Sequence, residues 1–393
     1  MTNATVPRQN IRHRVAPYPS RDMLVLAVLV LGALALRLPL LALTAGSDLR
    51  VIAQLAWRAA RGQDVYAIDV HRLTPWAYFP PLLDVFAGLA RLAARTGWSF
   101  YVLAKAPVVA ADLGIGVLLY AALRRRGHPW GRAAVGAALY LYNPLALYNG
   151  AFYGRFDAIA LVFLLLALEG YRGRLFAPAY ALAIAAKTFP LFLLPLLALG
   201  RDRQPLRRLL LACGLVAPLS LPYVVTDPGG LLSHVFYTDR TGFGSLSWYL
   251  PLLHAPFARL PQVIALARIG LLLYPLVLLL LLRAPLYVKA ACCYALFTVL
   301  TSTIYEQYLL WPLPFLIVVG LHHRRRGALA LAALDTFAGM VQNEYTWFAG
   351  PLHYALLPRV YAPLNLILVG ATVAFVAAQV RRDSPWSKDP LRR

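Results

Sequence analysis

Apolar runs recur along the whole chain, and short loops rich in arginine break them. The runs lie near 23–44, 98–123, 131–148, 156–170, 174–187, 188–200, 206–225, 262–283, 288–304, 307–321, 327–341 and 360–380. A hydrocarbon core of ~30 Å takes ~20 helical residues to cross. Several runs are shorter than that, so those helices are expected to tilt, break or line a water-filled cavity. The pattern predicts an all-α fold: a polytopic transmembrane bundle of about twelve spans, forming a single domain over residues 1–393.

Two segments depart from the span pattern. Residues 45–97 form a long first external loop. Within it, Leu49 to Ala60 place Leu49, Ile52, Ala53, Ala56 and Trp57 on one helical face, the mark of an amphipathic helix. A second apolar stretch, Pro80 to Ala94, is read as lying along the external interface. Counting it as a span would reverse every later loop. A second external loop covers 226–261.

Charge fixes the orientation. The formal net charge is +22, but the basic residues gather in short loops rather than on one face, so nucleic-acid binding is disfavoured. Arg124 to Arg126, Arg201 to Arg208, Arg324 to Arg326, the N-terminal tail and the tail from Arg381 all alternate to one side. The positive-inside rule makes that side cytoplasmic, with both termini there. The run Met23 to Leu43 is too long for a signal-peptide core and reads as a retained anchor. Charged residues are only 14% and hydrophobic residues 60%, against about a quarter and a half in soluble chains. Cys213, Cys292 and Cys293 all fall in apolar runs. Neither a disulfide, a metal site nor a cofactor is expected from them.

Candidate chemistry collects on the opposite, external side. Asp48 follows the first span. Arg155 and Asp157 lie where the third span passes to the fourth. Lys187 stands between two apolar stretches, Glu306 and Gln307 open another, and His234 and Arg240 lie in the second large loop. Each has a plainer reading. Asp48 could cap a helix. Lys187 could reach back to the interface. Arg155 and Asp157 could pair with each other, Glu306 and Gln307 could form a polar turn, and His234 and Arg240 could be loop surface.

Together they fit sugar transfer from a phosphate-linked lipid. A carboxylate takes the acceptor's proton, and cations hold the leaving phosphate. Aromatic rings, with Trp57, Trp76, Tyr78, Trp248 and Tyr249 as candidates, face the sugar. Lys105, Asp112 and Asp335 lie inside apolar runs and motivate a second reading, a transporter or lipid flippase. No Walker-type glycine loop is present, which disfavours a nucleotide-driven pump. A third reading is a non-catalytic subunit of a membrane assembly.

At these residues the chain resembles the GT-C superfamily of polytopic glycosyltransferases. It is most similar to the enzyme adding the first mannose to the glycosylphosphatidylinositol core and to bacterial polyprenyl-phosphate-mannose-dependent enzymes. The resemblance runs from about residue 45 to 320. It is carried by Asp48 through Gly62 to Tyr66, Tyr78-Phe79-Pro80-Pro81-Leu82, Lys105 with Asp112, and Asn143-Pro144. It continues through Gly154-Arg155-Phe156-Asp157, Lys187-Thr188-Phe189-Pro190 with Pro195, and Glu306-Gln307-Tyr308 with Trp311 and Pro314.

The resemblance implies an inverting transfer of a hexose, mannose by analogy, from a polyprenyl-phosphate donor to a lipid or glycan acceptor outside the cytoplasm. It makes Asp48 the general base and Asp157 a second acid. Lys187 would bind the donor phosphate. Arg155, Glu306, Gln307 and Tyr78, from the matching segments, and His234 and Arg240, from the second external loop alone, are candidates around the substrates. It implies no obligatory metal. The eukaryotic enzyme's Asp-x-Asp pair has Gly46 at its first position here, and Tyr305 replaces a common histidine.

Overall fold

A computed structural model describes residues 20–43, 46–67, 76, 78–171, 173–198, 204–235, 280–281, 283–300, 306–348, 360 and 362–383. Arg240, Trp248, Tyr249 and nearly all of the expected span at 262–283 lie outside the described residues. Among the described residues the regular structure is helix, without a strand.

The chain begins with α1 (Ser20–Ala42), α2 (Ser47–Ala60), α3 (Pro80–Thr96) and α4 (Phe100–Arg125). Next come α5 (Trp130–Leu141), α6 (Pro144–Leu147), a π-turn at Tyr148–Phe152, α7 (Asp157–Glu169) and α8 (Phe176–Ala186). A 3-10 turn at Phe189–Leu193 leads to α9 (Leu194–Ala198), α10 (Gln204–Thr226) and α11 (Pro228–Val235). The C-terminal part holds α12 (Leu286–Leu300), a 3-10 turn at Glu306–Leu310, α13 (Leu313–His322), α14 (Arg326–Phe348) and α15 (Ala362–Asp383).

Three helices are long and apolar enough to cross a membrane: α1, α4 and the 363–382 stretch of α15. Two bent pairs raise the number to five if each is one span. α1 has 23 residues, about 35 Å at ~1.5 Å per residue. Met23, Leu24, Val28, Leu31, Leu36 and Leu38 project from it exposed, an apolar surface that suits lipid rather than water. The other expected spans correspond to shorter pieces such as α5, α8, α12 and α13. The chain is therefore a helical protein of membrane character.

α7 and α8 are apolar on nearly every face and occupy the centre, as such helices must. α8 packs on α7, and α7 on α4, which also carries α1 and α5. α12 packs on α13, and α14 on both α13 and α15. In the first loop, α2 buries Leu49, Ile52, Ala53 and Ala56 as its pattern predicts, together with Leu55. Trp57 is only half-buried, against Phe100. α2 packs on α3. α3 opens on Pro80-Pro81, where first-turn N–H groups have no helical partner to lose. It closes on Gly97 at φ 74°, a left-handed cap that glycine adopts readily.

The feature that positions the site is a bend of 118° between Pro144–Phe152 and α7. Asn143 starts it by capping α6: its Oδ1 accepts from the Leu145 and Ala146 N–H groups at 2.9 and 3.3 Å. The π-turn follows, and Gly154 reverses the chain at φ 72°. A Cβ there would lie 2.6 Å from Leu49 and 3.0 Å from Lys105 side-chain atoms, so the turn demands glycine twice over.

Candidate functional site

Residues 155–157 sit at the apex of that bend, and their two charged side chains go to different partners. Arg155 Nε donates to Asp48 Oδ2 at 2.8 Å, bridging 107 residues of chain. Its Nη1 pairs with Glu306 Oε1 and also donates to Asn149 Oδ1 at 2.9 Å. The guanidinium lies 4.6 Å from the centre of the Tyr153 ring. Asp157 pairs instead with Lys187, whose Nζ donates to Asp157 Oδ1 at 2.6 Å. Trp311 Nε1 donates to the same oxygen at 2.6 Å. The direct Arg155–Asp157 pair considered from the sequence is thus replaced by two separate pairs.

Lys187 is buried rather than reaching for an interface. It ends α8 in an extended conformation (φ −159°, ψ 153°), which turns its side chain away from the helix. Three rings surround its Nζ: Phe156 at 5.0 Å, Tyr78 at 5.3 Å and Trp311 at 5.8 Å. Cations are stabilised over such faces. Phe189, two residues on, stacks on Trp311 at 4.3 Å, which locks the indole that reaches Asp157. Tyr78 is held from behind by Tyr66, whose hydroxyl donates to the Tyr78 carbonyl at 2.9 Å. Burial pushes the Tyr66 phenol well above its ordinary value, so it remains a donor.

Asp48 occupies the first turn of α2, whose N-cap position is Gly46. Its Oδ2 is spent on Arg155, and the side chain is 46% exposed, against 9% for Arg155 and Glu306. It is therefore the one carboxylate of the cluster that a bulky substrate can approach. Gly46, two residues before it, faces the Tyr153 ring so closely that a Cβ would stand 1.8 Å from a ring carbon. The packing of Tyr153 excludes any side chain at 46, including an aspartate.

Polar capacity is left over inside this cluster. Asp157 Oδ2, Asn149 Nδ2 and Gln307 Oε1 are buried with no hydrogen-bond partner among the described residues. Such atoms cost free energy in the absence of a partner. They are the groups a polar ligand would satisfy.

The structure thus brings together Asp48, Arg155 and Glu306 in one ion cluster and Asp157, Lys187 and Tyr78 in the next. Gln307 is buried beside Glu306 in the same turn. His234 does not join them. It is buried on α11, with its ring 5.5 Å from Tyr66, so the loop-surface reading is corrected: it belongs to the aromatic group behind Tyr78. Trp76 stacks on Phe156 at 5.8 Å. Trp57 lies away from Lys187, beside Gln54, Arg58 and Arg61 at a surface cavity. The sequence reading missed Asn149 as a site residue, although a lone asparagine closing an apolar run was a visible signal. It quoted Trp311 only as part of a motif.

Among the described residues no group of three or more His, Cys, Asp or Glu side chains has the arrangement to hold a metal ion. The chain matches no protein-family model and no curated protein.

Proposed function

We propose that the chain is an inverting membrane glycosyltransferase of GT-C type, a hexosyltransferase that moves mannose from a polyprenyl-phosphate donor to a lipid or glycan acceptor. The reading rests on one observation above the others: Asp48, Arg155 and Glu306, from three distant parts of the chain, form a single ion cluster. Beside it the buried Lys187–Asp157 pair is ringed by aromatic side chains. On this reading the bundle has about twelve spans, both termini are cytoplasmic, and the site faces away from the cytoplasm of a plasma membrane.

The acceptor hydroxyl attacks the anomeric carbon of the donor sugar. The bond from that carbon to the phosphate oxygen breaks, and polyprenyl phosphate leaves with the electron pair. Asp48 takes the hydroxyl proton, its exposed carboxylate oriented by Arg155. Lys187, fixed by Asp157 and carried at the chain turn after α8, offers its ammonium to the leaving phosphate. Tyr78 and Trp76 supply ring faces for the sugar. Of the three charges that suggest a transporter, Lys105 and Asp112 are tied to α1, which supports an enzyme over a transport path; the third, Asp335, is buried on α14 with its Oδ2 lacking a hydrogen-bond partner among the described residues.

The test is sugar transfer by the purified chain, using a polyprenyl-phosphate-linked mannose and a lipid acceptor. The parent should form product. Asp48→Asn should lose about 10²–10⁴-fold in rate with an unchanged melting temperature. Equal rates in the two proteins would remove Asp48 from the mechanism. Movement of the donor across sealed vesicles without covalent change would favour the transporter.

A further inference from the structure

A second cluster of charge lies at the opposite end of α13. The site described above begins at Glu306, just before that helix. At its other end residues 322–326 read His-His-Arg-Arg-Arg. The ten residues of α13 put about 15 Å of helix between the two places. Here α14 starts, with no acid in its first turn, and α15 ends, with Arg381 and Arg382 in its last turn.

Between these ends is a cavity of about 530 Å³. Arg324, Arg325, Arg326 and Arg382 line it, with no acidic side chain among the described lining residues. One of the four is built into the wall. Arg325 is buried, and its Nη1 donates to Gln379 Oε1 on α15. Gln379 is fixed in turn through its Nε2, which donates to the Phe375 carbonyl at 3.2 Å. Arg324 stands at φ 53°, a left-handed turn that few non-glycine residues adopt. Gly327 leaves open space beside the first turn of α14. In that turn the Ala328 N–H already donates to the Arg325 carbonyl at 2.8 Å, and the helix start carries about half a positive charge, which favours a phosphate.

The rest of the lining is apolar and small. Ala371, Ala374 and Ala378 follow one another along α15, with Phe375 between them. Ala374 and Ala378 are exposed, so the groove opens sideways out of the bundle. A soluble anion would satisfy the arginines and leave this groove bare. A neutral lipid would do the reverse.

We propose that this cavity binds an anionic phospholipid, with the headgroup phosphate among the four arginines at the start of α14 and an acyl chain along the alanine face of α15. Charge complementarity selects the class: basic pockets between membrane helices favour anionic headgroups. On the topology proposed above the lipid belongs to the cytoplasmic leaflet, opposite the sugar-transfer site. Neither proposal depends on the chemistry of the other.

The purified full-length chain, titrated with phosphatidylglycerol or phosphatidylcholine and read by native mass spectrometry, tests this. The parent should retain phosphatidylglycerol at about tenfold lower concentration than phosphatidylcholine. The Arg324→Gln, Arg382→Gln double variant changes two exposed side chains and should weaken phosphatidylglycerol about 10- to 30-fold, leaving phosphatidylcholine unchanged. Ala374→Trp, on the open side of the groove, should weaken it through the acyl chain alone. Equal retention of the two lipids by the parent, or full retention by both variants, would overturn the proposal. Displacement of the lipid by inorganic phosphate at equal concentration would assign the pocket to a free anion instead.

Discussion

Two groups of buried charge lie close together in this protein and are built on opposite principles. In the first, Arg37 pairs with Asp112 at 3.6 Å and donates to the Leu141 carbonyl at 2.8 Å, while Tyr140 donates to Asp112 at 3.0 Å. Lys105 donates to the Leu40 and Leu43 carbonyls at 3.1 and 3.0 Å. These groups tie α1, α4 and α5 together, and both side chains of the ion pair have no exposed surface. The second group, around Arg155 and Lys187, sits at a chain bend. It keeps Asp48 nearly half exposed and leaves Asp157 Oδ2 and Asn149 Nδ2 without partners. Burial of charge is common to both. Unspent bonding capacity is common too, since Arg37 Nη2 and Asp112 Oδ2 also lack a hydrogen-bond partner among the described residues. Access to solvent belongs only to the second, and it distinguishes the proposed place for a substrate from a rivet between helices.

That contrast can be broken by removing one partner from each group. Arg37→Met strands a buried carboxylate and should cost about 3–5 kcal/mol of stability, with transfer per folded molecule unchanged. Glu306→Gln should do the opposite. Arg155 keeps its bonds to Asp48 and Asn149, so the melting temperature moves little, while the rate falls about 100-fold as the guanidinium, freed from one of its anchors, holds Asp48 less firmly in place. If Arg37→Met lost transfer at full stability, the division into rivet and site would be wrong.

A smaller effect sharpens the same point at the backbone. Gly46→Ala brings a Cβ against the Tyr153 ring, and the crowding should cost about 1–3 kcal/mol. Because Gly46 precedes α2, the shift is expected to reach Asp48, lowering transfer more than Gly88→Ala on α3, where no atom lies within 4 Å of the added carbon. Circular dichroism melts and transfer rates on the two variants check this.

The smallest effect concerns the loop between α4 and α5. Burial, then Arg132, Arg324 and Arg126, lower the His128 value below its ordinary 6.5. A lowered histidine adds stability that is present above the unfolded value and is lost as pH falls through the folded one. The melting temperature should therefore decline on acidification below about pH 6.5, and His128→Gln should flatten that decline. An equally steep decline in His128→Gln would assign it to other groups.

The helical character, the amphipathic face of α2 and the unusual placement of Asp48, Arg155, Asp157, Lys187 and Glu306 were legible because each is a local pattern. Periodicity marks the helix, and a charge at the edge of an apolar run stands out. The pairing was not legible. Arg155 and Asp157 are near neighbours in sequence, yet the bend sends one toward Asp48 and Glu306 and the other toward Lys187. Trp311 reaches Asp157 across 154 residues, a contact that only tertiary packing decides. The limits of the spans were not legible for a related reason. Apolar length alone does not tell a straight crossing from a helix broken at Asn143 or at Gly154. Lys105, Asp112 and Asp335 looked alike in sequence, and only neighbouring helices reveal that the first two are bound to α1.

The run from Arg155 to Asp157 acts as a ruler. Three consecutive residues span at most about 7 Å between end Cα atoms, so the distance between the two ion pairs is set by covalent bonds and not by how the helices settle. If Lys187 is drawn toward a ligand, the pull is expected to pass through Asp157 and two peptide bonds to Arg155, and so to the carboxylate of Asp48.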